Sequence, residues 1–406
     1  MNFAHYHLHR IRFSLLLPLF CLLALAGCST QTVKTTSITP MVVDNTPVPE
    51  DELLDVGIGI FDPGLDDIDG NREKLTFADV RMAETQYSSW QLSKTLQNTG
   101  NWGVVRVLPH DLSTSDLAVR GTILQSDGET MRLHVNVTDA TGRTWIDKEY
   151  EEVISRFSYD PRQRRNGDAF QGLYNRIAND MLNYRKRNLK REELVNIRTV
   201  ARLQFAKSFA PEALDGYLET DRRGTISVKR LPAANDPLLA RIDSIRERDY
   251  LYVDALQDYY GNFVREMEGP YTEFRRLSYE EVMKYDKLKA QARRNMILGV
   301  ASILGGLAAT QSSNAAVNYA AFGGLIGGGF LIKDAFNRGD EAQFQVESLA
   351  ELGNSLGEDI TPKRIELDER VITLSGSVED QYAQWREILA DMYANEVGTT
   401  PSNSPQ

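Results

Sequence analysis

Between Asp116 and Val153 the sequence repeats one arrangement three times: about ten residues of alternating polarity, then a short turn. The segments are "DLAVRGTILQ", "TMRLHVNVTD" and "TWIDKEYEEV", separated by "SDGE" and "ATGR". In the middle segment Leu133, Val135 and Val137 alternate with Arg132, His134 and Asn136, a period of two that sorts apolar and polar side chains onto opposite faces of a strand. The turns carry glycine where a tight hairpin needs it. This pattern predicts a three-stranded antiparallel meander. The residues before it supply a strand "LLDVGIGIF" ending at the turn "DPG", a helix over "FADVRMAETQYSSWQLSKTLQNTGNW", and a second strand "GVVRVLP". Residues 51–155 are therefore expected to form one small α/β domain.

Two short patterns lie in the meander. Asp116, Val119, Gly121 and Ile123 form "D-x-x-V-x-G-x-I", and Asp139, Thr141 and Gly142 form "D-x-T-G". With the element order, these resemble the N-terminal domain of the Tol–Pal β-propeller protein, the curli-secretion lipoproteins and the activator lipoproteins of penicillin-binding proteins. The resemblance covers about a quarter of the chain. It implies a periplasmic domain working through protein contacts.

At 406 residues the chain exceeds one ordinary core. After a polar linker, Phe170, Leu173, Ile177, Met181 and Tyr184 recur at helical spacing, and 156–295 reads as a helical region. "VNIRTVARLQFAKSF" continues in helix until Pro211, and a further amphipathic stretch is expected to break at Gly269–Pro270. The basic run Arg185 to Arg191 reads as a solvated helix end, ahead of a contact with lipid head groups or an acidic partner. The dense aromatics Tyr250, Tyr252, Tyr259, Tyr260, Phe263, Tyr271, Phe274, Tyr279 and Tyr285 suit either core packing or an interface.

Residues 296–333 hold two apolar runs, "MILGVASILGGLAA" and "AAFGGLIGGGFLI", each short of the roughly 20 residues of a spanning helix. Gly323 with Gly327, and Gly324 with Gly328, make overlapping GxxxG pairs that let helices approach closely. "GGLIGGG" resembles the glycine-zipper hairpins of some outer-membrane lipoproteins. Two readings stand: a hairpin in or against a membrane, with possible self-association, or one buried in the protein's own core or an oligomer interface. Residues 334–393 read as helix, two short strands and helix. There "VITLSGSV" and the following Tyr382, Trp385, Ile388, Leu389 and Met392 resemble the end of a BON domain. Residues 394–406 read as a disordered tail.

Candidate chemistry is sparse. The histidines are His5, His7, His9, His110 and His134, and the cysteines Cys21 and Cys28. "GLDDIDGN" (Gly64 to Asn71) puts Leu65 where a calcium loop needs its first aspartate and Thr76 where it needs its last acid, so it reads as an acidic surface loop. His134 is expected to face solvent. A serine hydrolase would need a "GxSxG"-like elbow together with a histidine, which "LSGSV" does not supply, and a phosphate loop would need a Gly-Lys-Ser/Thr that is absent from the glycine segment. A net charge of −11 argues against nucleic acid as a partner.

The N-terminus carries the sharpest signal. Arg10 and Arg12 precede a short apolar stretch, Ser14 to Ala26, and a polar one follows, as in a signal peptide over 1–27. Leu25-Ala26-Gly27-Cys28 resembles the lipobox of bacterial lipoproteins. That resemblance implies removal of the signal, a diacylglyceryl thioether on Cys28 and acylation of the new N-terminus, which would anchor the chain stably. Ser29, rather than aspartate, implies sorting to the outer membrane. Residues 28–50, rich in Thr, Ser and Pro, read as a flexible tether.

These readings combine into an α+β protein: a small α/β domain with an antiparallel meander, a helical middle, a glycine-rich helical hairpin and a small C-terminal α/β module. No catalytic residue, metal ligand or cofactor is expected. The functional expectation is a lipid-anchored, periplasm-facing outer-membrane lipoprotein contacting envelope proteins. The alternatives are an oligomeric subunit of a secretion or export pore and a cell-wall-acting hydrolase.

Overall fold

The meander forms as its alternation requires. In the computed structural model, strands β3 (Leu117–Ser126), β4 (Thr130–Asp139) and β5 (Thr144–Val153) pair antiparallel, with Val119 opposite Val137 and Leu133 opposite Tyr150. The structure describes residues 38–43, 46–66, 76–109, 112, 115–160, 167–233, 235–307, 340–355, 363–367 and 370–397. Strand β1 (Val56–Gly59) lies parallel to β3 on one side and to β2 (Val105–Leu108) on the other, so the sheet order is β2-β1-β3-β4-β5. Helix α1 (Ala78–Thr99) connects β1 to β2 and ends at Gly100, whose φ of 65° closes the helix in the left-handed region.

Helix α1 is covered on two sides, which explains why its apolar stripe is only approximate. Leu92 and Leu96 enter the sheet core, while Val80, Ala83 and Tyr87 enter a separate cluster. Small hydroxyl residues fill the positions between and bond back to the helix, as Ser89 Oγ does to the Thr85 carbonyl. Ser89 also accepts the Phe61 N–H at 3.0 Å, fixing the end of β1.

Helices α2 (Gln171–Asn188) and α3 (Arg191–Phe209) follow. Phe170, Leu173, Tyr174, Ile177 and Met181 complete the sheet core at the spacing read from the sequence. The basic run between the helices is not a uniformly solvated end: Arg185 is buried and donates to the Asn101 carbonyl at 2.6 Å, while Lys186 and Arg187 are exposed. A short hairpin, β6 (Leu218–Thr220) and β7 (Ile226–Val228), comes next; three-residue strands carry too little alternation to be read in advance.

Helix α4 runs from Pro237 to Leu307, 71 residues and about 105 Å. Asp236 starts it by accepting the Leu238 N–H at 2.9 Å, with Pro237 in the first turn where its missing N–H is harmless. The expected break at Gly269–Pro270 does not occur. Proline there removes one helical hydrogen bond, a penalty of about 3 kcal/mol. Burial of Met267, Tyr271 and Phe274 in one turn on either side offsets it. Ile242, Ile245, Tyr252, Leu256, Tyr260, Phe263, Met267, Tyr271, Phe274 and Tyr279 make a buried stripe along the helix, so most of its aromatics are core.

The last elements are α5 (Asp340–Ser355), the hairpin β8 (Lys363–Leu367) and β9 (Arg370–Leu374), and α6 (Val378–Val397). Their types match the helix, two strands and helix read from the sequence. Together the elements make an α+β fold. A second cluster joins Val107 and Leu108 of β2, Phe205 of α3, Ile245 and Leu256 of α4, Leu374 of β9 and Trp385 and Leu389 of α6. A third joins Tyr87 of α1, Phe263 and Phe274 of α4 and Leu349 of α5, with Tyr285 and Val346 packed against it.

Candidate functional site

Parallel pairing puts Asp55 and Asp116 side by side, because each immediately precedes one of two neighbouring strands, with Val56 in register with Leu117. The Asp55 N–H donates to Asp116 Oδ2 at 2.8 Å, and Asp55 Oδ1 accepts the Val104 N–H at 2.8 Å. These two carboxylates close one end of the sheet and form part of a cleft of about 900 Å³. Helix α3 supplies Arg198, Thr199 and Arg202 to the cleft, the Leu231–Ala233 segment one wall, and α4 Asp243, Arg246, Glu247 and Tyr250.

The cleft is electrostatically mixed. Arg202 binds Asp243 through two nitrogens. Arg246 Nε donates to the Tyr250 hydroxyl at 2.8 Å, and Arg198 Nη1 donates to the Glu50 carbonyl at 2.6 Å. Asp116 is 3% exposed, and burial pushes its carboxyl up to about 6; the Asp55 N–H opposes the rise, the Asp55 charge adds to it, and Arg246 and Arg198 oppose it. Arg198 Nε lies 3.9 Å from Asp116 Oδ2. Asp116 is thus a buried acid able to take up and release a proton near neutral pH. Among the described residues lining the cleft the hydroxyls are Thr199 and Tyr250, and no serine, cysteine, histidine or lysine is present.

A second buried network joins α4 to the α/β domain. Arg275, 1% exposed, pairs with Asp168 at 2.5 Å, and the Tyr87 hydroxyl donates to the same carboxylate at 2.8 Å. The Arg275 guanidinium lies 4.0 Å from the Tyr271 ring centre and 5.5 Å from that of Phe170. Burial raises the Asp168 pKa, but Arg275 and the hydrogen bonds outweigh it and hold the carboxyl below its ordinary value. Beside it Arg81 pairs with Glu84 at 2.9 Å, and Glu84 Oε1 accepts from Tyr271 and Ser126, each at 2.7 Å. Gly128, at φ 80° in the β3–β4 turn, completes the contact: a Cβ there would lie 2.3 Å from the Arg275 carbonyl oxygen. A third link closes the free edge of β2. The Gln257 side-chain amide accepts the Val107 N–H and donates to the Val107 carbonyl, both at 2.9 Å, as a neighbouring strand would.

The patterned meander residues serve structure. Asp116 caps the turn into β1, Val119 and Ile123 are core, and Gly121 leaves room for the Phe61 ring, which a Cβ would approach to 2.6 Å. Asp139 accepts the Thr141 N–H at 2.9 Å and Trp145 Nε1 at 2.8 Å, organising the β4–β5 turn. His134 is half-exposed, 2.8 Å from Asp147. The proposed lipidation and sorting residues Cys28 and Ser29, the packing glycines Gly323, Gly324, Gly327 and Gly328, the acidic loop at Asp67 and Asp69, and His110 lie outside the described residues. Sequence reasoning did not single out Arg275, Asp168, Glu84 or the cleft arginines.

The chain N-terminal to the domain is held against α2. Val42 N–H donates to Asn179 Oδ1 at 2.8 Å, Asn179 Nδ2 to the Pro40 carbonyl at 3.0 Å, and Asn175 Nδ2 to the Thr39 carbonyl at 2.8 Å. Asn175 and Asn179 stand one helical turn apart, so a single face of α2 straps Ile38–Val43. Among the described residues no group of three or more His, Cys, Asp or Glu is placed to hold a metal ion, and no helix is long and apolar enough to cross a membrane. Comparison with family models, curated proteins and solved structures gave no match to this chain.

Proposed function

We propose that this chain is a lipid-anchored outer-membrane lipoprotein that faces the periplasm and acts without catalysis, by protein contact in envelope assembly or maintenance. The supporting observation is the placement of the residues that flank the glycine-rich region. Tyr285 and Val346 pack against the same cluster. Helix α4 continues from there to Leu307, about 33 Å beyond Tyr285. Upstream of it the Asp168–Arg275 pair and the hydrogen bond from Tyr271 to Glu84 tie the helix to the rest of the fold. The arrangement suits an arm on a folded base: anchoring by Cys28, recognition by the base, association through the arm.

Cross-linking in cells, comparing the wild type with a chain lacking Met296–Ile332, tests the reading. Envelope proteins captured by the wild type and lost with the arm support it; capture of none sinks it. Mass spectrometry of the mature N-terminus should find acylated Cys28. An oligomer in detergent that requires Met296–Ile332 would favour the export pore instead, and robust peptidoglycan hydrolysis by the purified protein would overturn the non-catalytic assignment.

A further inference from the structure

Charge is divided sharply along α4. Pro237–Asp286 carries eleven acids and seven bases; Lys287–Leu307 carries no acid and four bases, Lys287, Lys289, Arg293 and Arg294. In a chain of net charge −11, one helix therefore passes from net −4 to net +4 at Asp286. The four cations span about 11 Å of helix. They are followed at once by "MILGVASILGGL", twelve residues without charge and about 18 Å of helix, close to the hydrocarbon depth of one leaflet and far short of a full crossing.

The base of this cationic collar has a second feature. A cleft of about 710 Å³ has Phe157 in its lining together with three cations, Arg156, Arg276 and Lys284, and two acids, Asp160 and Glu280. Phe157 is 42% exposed, with the Arg156 guanidinium 5.1 Å from its ring centre. Lys284, paired with Glu281, has a side chain 65% exposed, and Lys287 is exposed. An exposed ring beside cations, then a collar of cations, then an apolar helix end is the order of groups that a bilayer meets from water inward.

We propose that the C-terminal end of α4, from Lys284 to Leu307, is a membrane contact that reads anionic phospholipid, the collar lying among phosphate headgroups and Met296–Leu307 entering one leaflet. Charge complementarity selects the occupant. An acid-free cationic collar gains from a negative surface and little from a zwitterionic one, whereas the acid-rich helix before it would be repelled. This contact is additional to a lipid on Cys28 and does not require it.

The test uses the full chain carrying Cys21→Ser, Cys28→Ser and Ser302→Cys. The chain has two cysteines, so position 302 then holds its single thiol, labelled with an environment-sensitive fluorophore. Vesicles are phosphatidylcholine alone, or with about one third phosphatidylglycerol, with brominated acyl chains as the quencher. With phosphatidylglycerol the label should shift to the blue and be quenched. The quenched fraction should be about five times smaller on phosphatidylcholine, and should fall as salt rises to about 1 M, where screening shortens to about 3 Å. Lys287→Gln, Lys289→Gln, Arg293→Gln and Arg294→Gln together should abolish the lipid preference while circular dichroism stays unchanged. The salt arm needs no collar substitution and stands if that variant fails to fold. Equal quenching on both lipids overturns the proposal, as does a preference that survives high salt. A blue-shifted label unaffected by vesicles also overturns it, in favour of burial within protein. With both cysteines absent, the outcome is independent of Cys28 acylation, so either reading can fail alone.

Discussion

Asp168 and Asp116 are both aspartates excluded from water, and they titrate in opposite directions. Asp168 is bonded to the Arg275 guanidinium at 2.5 Å and is held below its ordinary pKa; Asp116 has Arg198 at 3.9 Å and is pushed up to about 6. Burial disfavours the charge in both, so the partner's distance decides the sign. One carboxylate is locked into the joint between domain and helix. The other sits at the lining of a cleft with its proton exchangeable. A buried acid in this fold is therefore a fastening or a titratable group according to whether an arginine is bonded to it.

The largest effect should come from breaking the fastening. Arg275→Ala leaves Asp168 charged and buried without its partner and should destabilise by about 3–5 kcal/mol in urea unfolding. A loss under about 1 kcal/mol would mean that the aromatic cage, not the ion pair, holds the helix. The depressed Asp168 contributes stability above the ordinary aspartate pKa, and this is lost as pH falls through its folded value.

Asp116 should act with the opposite sign. Its folded pKa of about 6 exceeds the ordinary 3.8, so ionisation destabilises the native state as pH rises from about 4 to 6, and the deficit persists above. Asp116→Asn should therefore raise stability at pH 7.5 by up to about 3 kcal/mol and match the wild type below pH 4. Calorimetry across that range checks it, and an equal effect at both ends would remove titration from the account.

Smaller effects should mark uncharged joints. Gln257→Leu leaves the Val107 N–H and carbonyl unpaired and should cost about 1–3 kcal/mol, with faster hydrogen exchange at Val107. Asn179→Ala should cost about 1 kcal/mol and raise the rate of proteolysis between residues 38 and 43, while leaving both aspartate titrations unmoved.

Much of the fold is legible because its signals are local. The alternation of Leu133, Val135 and Val137 and the spacing of Phe170 to Met181 are each contained in one element. The joint is not legible, because Glu84, Ser126, Asp168 and Arg275 come from four places in the chain and no spacing relates them. Asp116 could be picked out by its pattern, but its burial depends on Asp55 from the adjacent strand. Pro270 misleads for a related reason: local propensity argues for a break, and tertiary burial of Met267 and Tyr271 overrides it.

The strap at Ile38–Val43 sets a leash length. With the chain free from Cys28 to Glu50, an acylated Cys28 would let the domain wander some 75 Å from its anchor, but docking of Thr39 on α2 leaves eleven residues, about 37 Å fully extended. Halving the radius cuts the accessible hemisphere about eightfold and raises by the same factor the local concentration of anything on the same bilayer. Two asparagines on one helix face would thus set how often the anchored domain meets its membrane neighbours.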